Sequence, residues 1–498
     1  MPTMPPGPAS APGAARVAAV DLGATSGRVM VAEVGPDVFR LTEAHRFRTP
    51  SVRRDGQLSL DFEALWAQVA EGLRRAAATG PINSVGIDSW GVDYGLLGAD
   101  GALLGDPVSY RDDRTEHVPE RVWRRLPRDE LYAATGVAHQ RFNTVFQLAA
   151  EPVERLGRAR TLLLLPDLLS HRLTGGIGAE VTNASTTGLF DVRRRDWCWP
   201  VIDALGFPRR LFPPVVEPGG VIGELTAEAG AATGLGPGTT VVAVGSHDTA
   251  SAIAAVPAQR PDFAYISSGT WSLVGLELGR PVLTQASRAA NFANELGVRG
   301  TVRYLKNVIG LWLLSECQRQ WEADGQEARL GPLLAGAAAL PPGEARFDAA
   351  DPRFLSPGDM PRRIAEAVAE AGGRLPRGQR ETVRCVIDSL AAAYRDAIVA
   401  GSRLGGQPVG RVHLVGGGSL NAPLCQATAD ATGLPVLAGP TEASVIGNAL
   451  VQAQAIGAID GRADAALAGP RALVAEHFPA TTYQPGGAAA QPTQKEQP

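Results

Sequence analysis

The nonapeptide VGSHDTASA, residues 244–252, sets His247, Asp248 and Thr249 side by side among small residues. A carboxylate there suits general-base chemistry, taking the proton of an alcohol as its oxygen attacks phosphorus. His247 could hydrogen-bond the same substrate, and Thr249 could orient the acid or a phosphate oxygen. The peptide has an equally simple structural use, because His247 and Asp248 could cap the helix that begins TASAIAA. Both uses stay open on these residues alone. A Ser-His-Asp hydrolase does not fit, since adjacent His247 and Asp248 are expected to point apart and no G-x-S-x-G elbow occurs.

Two further stretches suit phosphate. In DLGATSGR, residues 21–28, Asp21 ends an apolar run and small residues follow. Such a turn directs backbone N–H groups into a concavity that fits phosphate oxygens. Thr25, Ser26 and Arg28 could add donors and Asp21 could hold a hydrated Mg²⁺, although a plain hairpin with an Asp turn would read the same way. In VHLVGGGSLNAPLCQATADATG, residues 412–433, a strand runs into Gly416, Gly417 and Gly418, then into a helix with Asn421 as its N-cap. Glycines let a flat ligand approach the backbone, and a helix N-terminus favours phosphate. The G-x-G-x-x-G pattern is not met. Of the 47 basic residues only Lys306 and Lys495 are lysines, and no G-x-x-x-x-G-K-[ST] occurs, so a P-loop is excluded.

The elements that must carry these groups follow from periodicity. Residues 17–34 read as an apolar strand, a tight turn and a second strand, and residues 263–278 repeat the plan. Overlaid, Asp21 falls on Ser267, Gly23 on Gly269, Ala24 on Thr270 and Ser26 on Ser272. A helix is expected over 63–78, with Leu65, Val69 and Leu73 on one face and Asp61 as N-cap. Others are expected near 306–318 and over 383–400, the latter burying Ile387, Leu390, Tyr394 and Ile398. A buried strand over 241–245 would put Asp248 just past its C-terminal end, where α/β sheets present functional groups. Residues 85–105 read as a strand followed by a hairpin turning at Ala99-Asp100-Gly101.

Strands alternating with helices give the α/β class, and 498 residues exceed what one core supports. Two domains are expected, meeting near 255–262, with a cleft between them as the default ligand site. A net charge of −4 gives no argument for nucleic acid or a membrane surface, and no run of about 18 apolar residues suggests a spanning helix. Four scattered cysteines make neither a zinc site nor a disulfide framework, which fits a reducing cytoplasm. The first 15 residues read as a Pro/Ala-rich disordered leader and the last segment as a disordered tail.

Taken in order, DLGATSGR, GIDSWGVDYGLL with YRDDRT, SHDTASA, SSGTWSL, YLKNVIGLWLL and LVGGGSLNAPLCQATAD resemble the FGGY carbohydrate kinases from about residue 17 to about 457. The resemblance implies the two-lobed fold of actin, hexokinase and the Hsp70 ATPase domain, each lobe on a ribonuclease H-like core. It implies an N-terminal lobe over 16–257 and a nucleotide-binding lobe over 258–460, with 461–498 as a C-terminal segment. By position, Asp248 becomes the base for a ketose 1-hydroxyl, with Gly91, His247 and Thr249 contacting the sugar. Ala24, Thr25, Ser26, Gly27 and Arg28 form the first phosphate turn and Thr270 the second. Asn307 and Gly417 hold ATP, and Asp21 the Mg²⁺. Ser315 departs from the pattern, standing where some relatives carry a glutamine near the nucleotide. Lys306 is then a helix-start or structural residue, Trp271 a core residue, and Trp90 either a core residue or a stacking surface for sugar. L-rhamnulose is the expected ketose, with L-fuculose or L-xylulose as alternatives. An ATPase that moves a partner, or a non-catalytic sugar sensor, would share the fold and differ in whether sugar stimulates ATP turnover.

Overall fold

The computed structural model describes residues 13–54, 56–343, 345–460 and 467–486. Most of the expected leader and tail lies outside them; the described chain is already in a strand at Ala15. The chain divides into two compact units. The first contains the described residues up to Ala255, Leu278–Arg303 and those of Ser444–His477; the second contains Val256–Glu277, Tyr304–Ala443 and the residues from Phe478 onward.

The elements needed for the site are numbered as they are introduced. In the first unit, β1 (Ala15–Leu22), β2 (Ser26–Gly35), β3 (Val38–Arg48), β4 (Ser84–Ser89), β5 (Val221–Glu224) and β6 (Thr240–Val242) form one sheet in the order β5-β6-β4-β1-β2-β3. β1 pairs antiparallel with β2 and parallel with β4, which sets Asp21 opposite Asp88. A second sheet includes β7 (Phe263–Ser268), β8 (Trp271–Leu278), β9 (Val302–Ile309), β10 (Arg411–Val415), β11 (Val436–Ala438) and β12 (Thr481–Tyr483), in the order β9-β8-β7-β10-β11-β12. There β7 pairs antiparallel with β8 and parallel with β10. β1 thus stands to β2 and β4 as β7 stands to β8 and β10, so the repeated hairpin is real. Its turn is one residue tighter the second time: the last pair is Leu22 with Gly27 in one hairpin and Ser268 with Ser272 in the other. The overlay of Asp21 on Ser267 holds and slips beyond the turn, so Ser26 does not fall on Ser272.

The helix α1 (Phe62–Ala78) starts where expected, with the Asp61 carboxylate accepting from Ala64 N at 3.0 Å. Leu65, Val69 and Leu73 are buried on the sheet, each worth about 1.5–3 kcal/mol against exposure. In α2 (Gly378–Gly405) the expected stripe Ile387, Leu390, Tyr394 and Ile398 is buried. The turn at residues 98–102 forms as expected, but Tyr94–Leu97 finds its strand partner in Thr161–Leu164. Lys306 and Asn307 lie in β9 and not at a helix start; the helix over this region is Trp312–Ala323. Sheet pairing of the run VRYLKNVI, with Val302, Tyr304 and Val308 among its buried residues, outweighed the helical spacing of its apolar residues. Trp271 is half-buried and not a core residue. Among the described residues no helix is long and apolar enough to cross a membrane.

Candidate active site

The first unit gathers acids at the C-terminal ends of its central strands. Asp21 and Asp88 are register partners on β1 and β4. β6 stops at Val242, three residues short of the expected strand, but the chain rejoins the sheet at one bridge between Ser89 and His247. That bridge carries Asp248 to the same edge, as first residue of the helix α3 (Asp248–Ala254).

His247 makes no side-chain cap on α3, and Asp248 Oδ1 accepts from Thr249 Oγ1 at 3.1 Å. Burial raises the Asp248 carboxyl above the usual aspartate value, the charge of Asp21 adds to the rise and His247 opposes it. One third of the Asp248 side chain, 33%, is still exposed. Deep placement with an open face gives a carboxylate that is basic yet reachable.

Asp21 is held by three donors on one oxygen: Arg28 Nε at 3.0 Å, Arg28 Nη2 at 2.6 Å and Ser444 Oγ at 2.7 Å, all to Oδ2. Arg28 therefore spends two donors on Asp21. Asp88 accepts from Asn448 Nδ2 at 2.5 Å, and its Oδ1 is buried with no hydrogen-bond partner. Burial, followed by the charge of Asp21, pushes Asp88 well above the usual range. Ser444 and Asn448 are one turn apart on the helix α4 (Ala443–Ala455), and Gln452, one turn further, donates to Ala18 O and accepts from Ser84 Oγ. One helix face thus serves both strands.

His247 lies at the junction. Its Nε2 is 3.5 Å from Asp248 Oδ1, so the neighbours face each other, contrary to the expectation that they diverge. Its Nδ1 is 3.2 Å from Glu295 Oε2. Ser246, just before it, is fixed by Glu180, which accepts from Ser246 N at 3.0 Å and Ser246 Oγ at 2.7 Å.

Gly91 belongs to a strained turn. Val92 has φ 75°, a region costly for a β-branched residue. Its carbonyl accepts from Thr144 Oγ1 at 2.8 Å and Gln147 Nε2 at 3.2 Å. The buried Asp93, pushed up to about 6 by that burial, accepts from Trp90 Nε1 at 2.9 Å. Trp90 is therefore tied down as part of the turn. The Gly91 α-carbon faces Thr186 and Asn183, whose side-chain amide is buried with neither polar atom partnered.

The turn at residues 23–26 closes through Gly23 N to Ser26 O at 2.9 Å, and Thr49 Oγ1 donates to Gly23 O at 2.6 Å. Thr25 and Ser26 are exposed, Ala24 is half-buried, and Gly27 is required because a Cβ there would stand 2.5 Å from the Phe47 ring.

In the second unit, Gly310 N and Trp312 N donate to Thr270 O, at 3.1 and 3.2 Å. Tyr394 OH lies 2.6 Å from Ser272 Oγ and braces that hairpin. The three glycines divide their work. Gly416 has φ 81° and a Cβ on it would stand 2.9 Å from Ser268 O; a Cβ on Gly418 would run into the Ser268 side chain; Gly417 is exposed with open space before it. Asn421 caps the following helix, accepting from Leu424 N at 3.1 Å. Gly418→Ala is expected to lower the melting temperature, whereas Gly417→Ala leaves it within about 1 °C and, if nucleotide lies there, raises KM for ATP; thermal melts and steady-state kinetics check both. Asn307 is half-buried in β9, and Ser315 is exposed, its hydroxyl donating to Leu311 O at 3.2 Å.

The first unit thus brings Asp21, Arg28, His247, Asp248 and Thr249 together with Asp88, Ser444, Asn448, Glu180, Glu295 and Arg303, none of which sequence reasoning singled out. Asp88 was detectable as an acid inside the apolar run SVGIDS. Glu295 and Arg303 carry no local signal. Among the described residues no three acid, His or Cys side chains converge as a metal cage. The uncompensated Asp88 Oδ1 beside Asp21 nevertheless fits a hydrated Mg²⁺, which needs only one or two carboxylates.

Residues 17–254 match the N-terminal domain of the FGGY family of carbohydrate kinases and residues 264–456 its C-terminal domain. The chain is 42% identical over 476 residues to a rhamnulokinase of Pectobacterium carotovorum, covering 94% of this chain and 93% of the relative. It is 40% identical over 478 residues to a rhamnulokinase of Bacteroides thetaiotaomicron, covering 95% and 96%. Among solved structures, gluconate kinase from Lactobacillus acidophilus superposes with a TM-score of 0.77 at 16% identity, over 95% of this chain and 94% of that one. Plasmodium falciparum glycerol kinase with ADP gives 0.71 at 14% identity, over 93% and 92%. Two sheet-bearing units of matching plan, an acid cluster at the strand ends and full-length relatedness agree: the chain belongs to the FGGY family of carbohydrate kinases, enzymes that act on a sugar and ATP.

Proposed function

We propose that this kinase transfers the γ-phosphoryl group of ATP to the 1-hydroxyl of L-rhamnulose, with Asp248 as general base. The observation that carries the reading is the Asp248 carboxyl itself: raised by burial, open over a third of its side chain and faced by His247. In this reading Asp248 takes the hydroxyl proton as the oxygen attacks, and Gly91, His247 and Thr249 hold the sugar. The unpartnered amide of Asn183 supplies a donor and an acceptor for sugar hydroxyls beside Gly91. The turn Ala24 to Arg28, with Thr270, Asn307 and Gly417, meets ATP, and Asp21 and Asp88 face the Mg²⁺, which screens phosphate charge when bound. Arg28 acts chiefly by fixing Asp21. The names of the full-length relatives support L-rhamnulose over other ketoses. The four free, buried cysteines accord with work in a reducing cytoplasm.

The test is ADP release from Mg-ATP with L-rhamnulose, L-fuculose and L-xylulose. L-rhamnulose should give the highest kcat/KM. Preference for another ketose would leave the base in place and overturn the substrate. ATP turnover indifferent to every sugar would overturn the kinase reading of the site.

A further inference from the structure

The turn at Gly91 is held from outside by a chain of buried polar side chains that the phosphoryl-transfer reading does not use. Val92 keeps its φ of 75° although it is β-branched, a conformation that persists only where the surroundings dictate it. Two buried residues of one short helix, Thr144–Ala149, grip its carbonyl: Thr144 Oγ1 donates at 2.8 Å and Gln147 Nε2 at 3.2 Å. Gln147 Nε2 also stands 3.3 Å from Asp93 Oδ1 and 3.0 Å from Phe142 O.

A side-chain amide can present either end, and here its orientation is fixed from both sides. Arg114 Nη2 donates to Gln147 Oε1 at 3.0 Å, and a guanidinium has no acceptor, so Oε1 must face it. The carbonyls of Val92 and Phe142 can only accept, so they demand the NH₂ end. Arg114 is anchored in turn by the buried Glu151: Nη1 donates to Oε1 at 3.0 Å, an oxygen that also accepts from Tyr94 OH at 2.8 Å, and Oε2 lies 3.3 Å from Arg155 Nη1. Every donor in the series Arg114, Gln147, Val92 points toward the turn.

We propose that Gln147, its amide oriented by Arg114, is a positioning residue for the sugar: it holds Val92 in the left-handed region and so fixes where Gly91 stands against Thr186 and Asn183. Clearance there is small, since a Cβ on Gly91 would lie 3.0 Å from Thr186 Oγ1 and 3.5 Å from Asn183 Oδ1. A turn released from Gln147 relaxes toward negative φ and carries Gly91 away from the Asn183 amide, whose polar atoms have no hydrogen-bond partner. The grip on Val92 follows from the geometry alone; its effect on ketose binding rests on the proposed function.

The experiment is a double-mutant cycle on the full-length protein between Gln147→Met, which fills the same space without a donor, and Val92→Gly, which adopts positive φ without strain and needs no holding. In the wild-type background Gln147→Met is expected to raise KM for the ketose at least about tenfold while KM for ATP stays within about twofold. In the Val92→Gly background the same substitution should change ketose KM by less than about threefold. An equal loss in both backgrounds overturns the inference, because Gln147 would then act through packing alone, and so does an unchanged ketose KM. Melting temperatures carry the same cycle without substrate: Gln147→Met should cost more beside Val92 than beside glycine. Additive drops overturn the grip even if no ketose is turned over, whereas coupled drops without ketose turnover uphold the grip and overturn the proposed function alone. Gln147→Glu, which keeps an oxygen for Arg114 and loses the donor, is expected to repeat the pattern and decides it if Gln147→Met fails to fold.

Discussion

In an Asp248→Asn variant, kcat with the ketose falls by about 10²–10⁴, the usual contribution of a general base, while the fold is retained. The amide keeps the shape of the carboxyl and an oxygen that can accept from Thr249 Oγ1, now at 3.1 Å, but it cannot take a proton. Relief of the crowding with Asp21 should leave thermal stability unchanged or slightly higher, because the raised carboxyl reports that its charge is disfavoured in the fold. The wild type adds a pH signature. The base must be ionised, so kcat/KM falls on the acid side, and its midpoint lies above the usual aspartate value of 3.8. Initial rates across pH, with circular dichroism on the variant, check both. Near-normal turnover in a folded variant would remove Asp248 from the role.

Gly447→Ala is expected to destabilise the first unit by about 3 kcal/mol, at the upper end for overpacking. A Cβ on Gly447 would run into the backbone carbonyl of Ser251, so α4 and α3 touch main chain to main chain. Neither backbone can yield as a side chain would. The loss should appear as a drop of roughly 6–12 °C in melting temperature. Gly469→Ala is the control, since nothing lies within 4 Å of its Cβ position. The variant should also lose activity beyond its instability at 20 °C, because α3 begins at Asp248 and α4 carries Ser444 and Asn448 to Asp21 and Asp88. A melting temperature equal to that of Gly469→Ala would show that the two helices have room to part.

The elements that periodicity made legible are those with one apolar face and a clear start, such as α1 behind Asp61 and α2 around Tyr394. The two hairpins were legible because their turns are rich in small residues between apolar strands. Asp21, His247 and Asp248 could be found because an acid at the end of an apolar run is costly without a purpose. The region of Lys306 and Asn307 failed because YLKNVIGLWLL satisfies a helix and a strand about equally well, and pairing decided for the strand. The partners of the site were hidden for a different reason. Glu295, Arg303, Ser444 and Asn448 sit in ordinary local surroundings, and only the sheet and helix packing brings them to His247, Asp21 and Asp88. Long-range pairing leaves no trace in a single sequence.

The helix α4 has a consequence for how the protein is made. Its Ser444 meets an aspartate 423 positions earlier in the chain. At the usual pace of translation, about 5–20 residues per second, roughly 20–85 s separate the emergence of Asp21 from that of its partner. For that interval the nascent first sheet has neither the Ser444, Asn448 and Gln452 ladder nor the cover that α4 gives it. A fragment ending at Ala255 would share that unfinished state permanently. An expressible version of the first unit has to splice Leu278–Arg303 and Ser444–His477 back onto it.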